Sequence, residues 1–213
     1  MSEILVVLPG WTRSERSYKR LVDSAPKGYK VIVANHHEII PTGNIDDFID
    51  QFVSFLKARN LNKVSLIGHS LGGAMAMEFA MHYPEMVDKL YLVDSAGVYG
   101  QETIFELSNN LLRNLFTRGH TKLVKFFTNS GYLIRKLPMH IKLGRYAFKV
   151  DLKEQGSKIK NYTIIMWGEK DVLNSLWQGR ALQKAIPRSK LIVLKDQGHD
   201  WIVYSPHLFW QNI

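Results

Sequence analysis

At 213 residues, 46% of them apolar and 22% charged, the chain can bury one substantial core and lacks the composition of a disordered or collagen-like protein. The absence of cysteine excludes disulfides, thiolate metal sites and a cysteine nucleophile, and no stretch approaches the roughly 18 uninterrupted apolar residues of a membrane span. The formal charge of +9 is unevenly placed, because twelve Lys or Arg residues lie between Arg113 and Lys160 against only Asp151 and Glu154.

The segment Met1 to Leu8 has no basic leader, and its apolar run ends at Pro9, too short for a signal peptide. It reads as a first strand, in a soluble and cytoplasmic protein. Further β-branched runs follow at Lys30 to Ala34, Val64 to Ile67, Leu90 to Val93, Thr163 to Met166 and Leu191 to Leu194. Their nearly continuous apolar character is that of strands covered on both faces. Alternation with helices then predicts right-handed βαβ crossovers and an α/β fold built on six mostly parallel strands.

Asn44 or Asp46 can cap a helix through Phe48, Phe52, Phe55 and Leu56. A second helix begins at Ser70, carries Met75, Met77, Phe79 and Ala80, and stops before Pro84; a third runs from about Asn174 to Ala185, before Pro187. Between Asp94 and Thr163 there are far more residues than one crossover needs. This interval contains amphipathic pieces around Ile104 to Leu115 and Leu123 to Phe127, broken by Gly119, Gly131, Pro138 and Gly144. The expected organisation is a core domain of residues 1–98 and 161–213 with an inserted helical cap at 99–160.

Gly68-His69-Ser70-Leu71-Gly72-Gly73 follows the third strand directly and opens a helix, the setting of a nucleophile elbow. A sharp strand-to-helix turn would force Ser70 into a sparsely populated backbone conformation, and glycine neighbours remove bulk that would strike adjacent elements. The bland reading is a helix-capping serine among incidental glycines. A hydroxyl is a weak nucleophile near neutral pH, so it needs a base within reach and a third group to orient that base. His199, just beyond the last strand, is the natural base. Asp171, just after the fifth, is the expected acid, giving the chain order Ser, Asp, His.

Asp94 competes for the acid role because it also ends a strand. Asp200, next to the base, reads as solvated or helix-capping, and Glu169 as a weaker rival. His36 and His37, in Asn35-His36-His37-Glu38, read as an extended solvated loop whose imidazoles point opposite ways, and no third ligand with metal-site spacing accompanies them.

With these motifs in place from Leu5 to Trp210, the chain resembles the α/β-hydrolase superfamily. The resemblance implies a compact version that lacks the first two strands of the usual eight-stranded sheet. It also implies an oxyanion hole made by the backbone N–H groups of Leu71 and Trp11, the latter in Leu8-Pro9-Gly10-Trp11-Thr12, where Pro9 replaces a frequent histidine. The reaction implied is ester hydrolysis through an acyl-enzyme on Ser70, with no cofactor or metal, on a small or medium substrate beneath the cap. Thioesterase, lactonase, lipase-like and carbon–carbon bond hydrolase activities use the same machinery, and a non-catalytic small-ligand binder could share the fold.

The basic residues Arg113, Arg118, Lys122, Lys125, Arg135, Lys136, Lys142, Arg145 and Lys149 read first as a solvated face. A sharper reading has them attract an anionic substrate, such as a coenzyme A thioester, or an anionic membrane surface. Nucleic acid is not expected, since no recognition motif accompanies the charge. The oligomeric state has no signature in the sequence.

Overall fold

The computed structural model describes residues 2–41, 44–98, 137–147 and 149–213. Six strands, β1 (Glu3–Leu8), β2 (Tyr29–Val33), β3 (Val64–His69), β4 (Val87–Val93), β5 (Tyr162–Gly168) and β6 (Ser189–Leu194), form one sheet in the order β2-β1-β3-β4-β5-β6. Every neighbouring pair is parallel. The runs seen in the sequence are extended at their N-terminal ends in β4, through Val87-Asp88-Lys89, and in β6, through Ser189-Lys190, where polar residues interrupt the apolar pattern.

Side chains alternate across the sheet, and each strand feeds two cores. Val6 and Leu8, Leu66, Leu90 and Leu92, and Ile165 and Trp167 enter one; Leu5 and Val7, Ile67, Tyr91 and Val93, and Ile164 and Met166 enter the other. Both faces of β1, β3, β4 and β5 are therefore dry. This explains why their sequences read as unbroken apolar runs rather than alternating ones.

Helices α1 (Lys19–Asp23), α2 (His36–Ile39), α3 (Phe48–Lys57) and α4 (Leu71–His82) follow the first three strands, and α5 (Leu137–Ala147), α6 (Leu176–Ala185) and α7 (Trp201–Tyr204) come later. In α3 the aromatic stripe is the buried face, with Phe52 stacked on both Phe48 and Phe55 and meeting Phe79 of α4 edge-on. α4 lies so deep that its first seven residues, and then Phe79 and Ala80, are all buried. No described helix is long and apolar enough to cross a membrane.

The insertion falls between β4 and β5. The amphipathic pieces at 104–127, and the basic residues from Arg113 to Lys136, lie outside the described residues. Its later part is helical: α5 buries Met139, His140, Leu143 and Gly144 along one face and leaves Ile141, Lys142 and Arg145 exposed. The chain then returns to the core through a parallel bridge between Gly97 and Asp151, with the Leu152 N–H donating to the Gly97 carbonyl at 2.8 Å. The Asn161 side-chain amide donates to the carbonyls of Pro84 and Val87, both at 2.8 Å, and fixes the start of β5.

The strand order reverses between β1 and β3. Chains leaving these two neighbouring strands diverge to opposite sides of the sheet and leave a crevice at their C-terminal ends, which is where ligands bind in open parallel sheets. The loop Pro9–Thr12 and Ser70 both sit there.

Candidate active site

Ser70 closes the turn from β3 into α4 with φ 54° and ψ −120°, a conformation that side chains other than glycine rarely adopt. The close approach of α4 to the strands sustains it. A Cβ on Gly72 would lie 1.9 Å from the Leu8 carbonyl oxygen, and one on Gly73 would lie 2.0 Å from Ser95 Oγ. The Ser70 carbonyl accepts the N–H groups of Gly73 and Ala96, both at 2.9 Å, and its own N–H donates to Val93 at 3.0 Å. The strain expected at this position is present, and the hydroxyl is held half-buried at the sheet edge.

His199 arrives from the turn after β6. Its Nε2 lies 3.0 Å from Ser70 Oγ, and its Nδ1 lies 2.7 Å from Asp171 Oδ2. Asp171 follows β5, and its other oxygen accepts the N–H groups of Leu173 (2.8 Å) and Asn174 (3.0 Å). The sequence-expected serine, histidine and aspartate therefore stand in one hydrogen-bonded chain. Burial acts against the imidazolium, but the charge and hydrogen bond of Asp171, with Asp200 adding to them, leave His199 above its ordinary pKa. That poises it to take a proton and hold it.

Asp94 does not contact His199 by hydrogen bond; its Oδ1 accepts the Gly168 N–H at 2.8 Å. Among the described residues, Asp94, Asp171 and His199 are the one group of three with metal-ligating atoms close together. Hydrogen bonds to Ser70, Gly168, Leu173 and Asn174 already account for their arrangement. Glu169 is exposed and accepts the Asp196 N–H, away from the triad.

Two expectations need correcting. Asp200 is buried rather than solvated, and although it stands at the N-cap of α7 its side chain makes no capping hydrogen bond: Arg13 donates to it at 2.8 Å, and its oxygen lies 4.0 Å from His69 Nε2. The pair ties the loop after β1 to the loop after β6. His36 and His37 do not form an extended solvated loop either. The Glu38 carboxylate reaches back to the Asn35 N–H at 3.2 Å, starting α2, and His36 is buried with Nε2 at 3.2 Å from the Gly10 carbonyl. The Asn-x-x-Glu spacing of a capping box was the available signal.

Sequence reasoning missed Tyr18 and the structural part played by His69. Both belong to the buried network behind Gly10, with no local motif to mark them.

Trp11 connects this loop to the insertion. Its indole N–H donates to the His140 carbonyl at 2.9 Å, and its ring lies against α5 where a Cβ on Gly144 would come within 2.8 Å. Leu71 opens α4, so its N–H belongs to the first turn, where no intrahelical acceptor exists.

An all-parallel sheet bearing a strained serine after β3, an aspartate after β5 and a histidine after β6 defines the α/β-hydrolase class. The model of the family described as alpha/beta hydrolase fold matches residues 3–121, more than half of the chain, and the protein belongs to that family. It is similar to Lipase 1 of Psychrobacter immobilis, 27% identical over an alignment 166 positions long, gaps included, that covers 68% of this chain and 52% of the lipase. It is also similar to a 2-hydroxy-6-oxononadienedioate/2-hydroxy-6-oxononatrienedioate hydrolase of a Pseudomonas species, 25% identical over an alignment 223 positions long, gaps included, that covers 89% of this chain and 76% of the other. The chain thus spans about half the length of the first relative and about three quarters of the second. Among solved structures, an alpha/beta hydrolase enzyme from the sediment metagenome of the Mar Chica lagoon, Morocco, superimposes with a TM-score of 0.77 at 20% identity, covering 99% of this chain and 88% of that one.

Proposed function

We propose that the protein hydrolyses carboxylic esters, with Ser70 as nucleophile, His199 as general base and Asp171 as the acid that orients it. The observation that carries this reading is the unbroken chain from Asp171 Oδ2 to His199 Nδ1 and from His199 Nε2 to Ser70 Oγ. Ser70 Oγ attacks the ester carbonyl as its proton passes to His199 Nε2. The proton then goes to the departing alkoxide, and a water activated by the same nitrogen releases the acid from the acyl-enzyme.

On this proposal the charge of the tetrahedral intermediate falls to the backbone N–H groups of Leu71, which follows Ser70 at the start of α4, and of Trp11; a Cβ on its neighbour Gly10 would lie 3.3 Å from Ser70 Cβ, which supports the reading. The division into a core of residues 1–98 and 161–213 and a cap at 99–160 belongs to the same reading, with the cap selecting a small or medium substrate. The hold of α5 on Trp11 supports it, because a helix of the insertion touches the loop that would bind the oxyanion. Exposed Lys142, Arg145 and Lys149 leave the basic side of the insertion open to an anionic substrate or surface. The cytoplasmic setting inferred from the sequence is part of this proposal.

The test is hydrolysis of p-nitrophenyl esters of increasing acyl length by the wild type and Ser70→Ala, with a coenzyme A thioester alongside and labelling by a fluorophosphonate. Ser70→Ala should lower kcat by about 10⁴-fold or more and abolish labelling. The chain-length profile would separate short-acyl esterase from lipase-like and thioesterase action. A wild type that neither turns over nor labels would instead be a binding protein on this fold.

A further inference from the structure

Behind the triad, two carboxyl groups share one buried site. Asp94 is fully buried and Asp171 nearly so, and one oxygen of each lies with a His199 ring nitrogen in a group whose atoms are all within 4.8 Å of one another. Their surroundings are unequal. Asp171 receives two backbone N–H groups and the His199 Nδ1–H, three donors suited to an anion. Asp94 receives one N–H, from Gly168, on Oδ1, and its buried Oδ2 receives no hydrogen bond from the described residues.

Two carboxylates this close in a dry site cannot both hold their charge, so one proton is shared between them. An oxygen without a donor, facing a carboxylate, is satisfied once it carries that proton itself. We propose that Asp94 is a neutral carboxylic acid whose Oδ2–H donates to the Asp171 carboxylate, making it a positioning residue for the triad acid. The inference rests on the triad reading above.

The titratable groups facing Asp94 are Asp171 from the loop after β5 and Asp200 and His199 from the loop after β6. Burial first, then the charges of Asp171 and Asp200, hold its carboxyl well above the usual range, and the Gly168 N–H only partly opposes them. The backbone adds a constraint: Asp94 sits at φ 43°, and its carbonyl accepts the Asn174 side-chain amide at 2.7 Å. Asn174 also donates its N–H to Asp171, so one residue fixes the separation of the two acids.

The neutral form has a consequence for His199. Asp94 then adds no charge of its own to those of Asp171 and Asp200 on the imidazole, and its hydrogen bond disperses part of the Asp171 charge. An asparagine at 94 can reproduce the arrangement, with its amide oxygen on Gly168 N–H and its NH₂ toward Asp171, whereas alanine cannot.

The experiment has two arms. The first is infrared spectroscopy of wild-type protein carrying ¹³C in aspartate carboxyls, at about pH 8, where ordinary aspartates are ionised. Labelling aspartate alone shifts its carbonyl band to lower frequency and so separates it from that of Glu78, also raised by burial. A neutral-acid carbonyl band absent from Asp94→Asn is expected, and its absence from the wild type overturns the proposal. This arm does not require the enzyme to turn over.

The second arm follows the rate at which a fluorophosphonate labels Ser70 as a function of pH, since the acidic limb reports protonation of His199. With Asp94 neutral, Asp94→Asn leaves that limb in place while lowering the rate several-fold, and Asp94→Ala lowers it on the order of 10- to 100-fold. Were Asp94 ionised, removing its charge beside His199 would shift the limb down by about one pH unit or more, and that result would overturn the assignment. Should Asp94→Asn fail to fold, the wild-type infrared band decides. A protein that never labels would refute the hydrolase reading and leave the infrared result standing.

Discussion

The Tyr18 hydroxyl stands 2.7 Å from Nδ1 of His69, although 51 residues separate the two in the chain. The same hydroxyl accepts the Gly10 N–H at 3.0 Å, so its own proton goes to His69 Nδ1. His69 then carries its hydrogen on Nε2 and donates to the His199 carbonyl at 3.0 Å. The relay links the loop after β1, the turn at Ser70 and the loop that bears His199. Tyr18→Phe removes only the hydroxyl, leaving the Gly10 N–H and His69 Nδ1 unpaired in the interior. It should cost about 1–3 kcal/mol in urea unfolding and lower kcat by loosening the Trp11 loop. An unchanged denaturation midpoint would show that these groups find other partners.

Glycine substitutions separate steric closure from backbone conformation. At Gly72 an added methyl would sit 1.9 Å from the Leu8 oxygen and 2.4 Å from its carbonyl carbon, both backbone atoms that no side-chain rotation can move. Gly72→Ala should therefore destabilise by about 3 kcal/mol or more and yield little soluble protein. Gly28 has nothing within 4 Å of its position but a φ of +97°, so Gly28→Ala should cost only about 1–2 kcal/mol. Equal losses at the two sites would contradict the tight seating of α4 on β1.

What the sequence disclosed follows from what local pattern can encode. β1, β3, β4 and β5 are flanked by helices on both sides, so their own residues report their burial. Ser70, Asp171 and His199 each stand in the turn that follows a strand, and a parallel sheet brings all such turns to one edge. Arg13 with Asp200, and Tyr18 with His69, are pairings across 187 and 51 residues that no periodicity announces. The strand order was equally silent, since β1 could have neighboured other strands without changing its pattern. Asp200 was misread because an acid in a loop is ordinarily solvated, and only the fold brings Arg13 to it.

Buried histidines set the acid sensitivity. Burial above all holds His36 and His69 down to about 4 each, aided by the nearby His140 and His37 in the first case and by His199 and Arg13 in the second. A folded value below the unfolded 6.5 means that the folded state binds fewer protons. Its stability is thus full above about pH 6.5 and falls as pH drops towards 4, by roughly 3 kcal/mol per histidine once both states are charged. Urea midpoints measured through this window should decline, and less steeply in His36→Asn. His199 has the opposite sign: its raised value stabilises the fold below pH 6.5, and that increment disappears as pH rises through the folded value. A midpoint that stays flat between pH 6.5 and 4 would mean that neither His36 nor His69 is held neutral.

The triad acid itself is decided by ranking two asparagine variants. Asp171→Asn replaces the oxygen that accepts from His199 Nδ1 with an amide that can turn its NH₂ there. The imidazole is then left in the tautomer that presents Nε2–H to Ser70, unable to take its proton. The expected loss is on the order of 10³-fold or more in kcat, with the acidic limb of the residual activity moved to lower pH because the charge that raised His199 is gone. Asp94→Asn leaves the bond between Asp171 and His199 intact and should retain a tenth or more of kcat. The measurement is kcat across pH for both variants on the best ester found. If Asp94→Asn proved the more damaging, His199 would have to turn from Asp171 to Asp94 in the working enzyme, and the 2.7 Å contact would mark a resting arrangement.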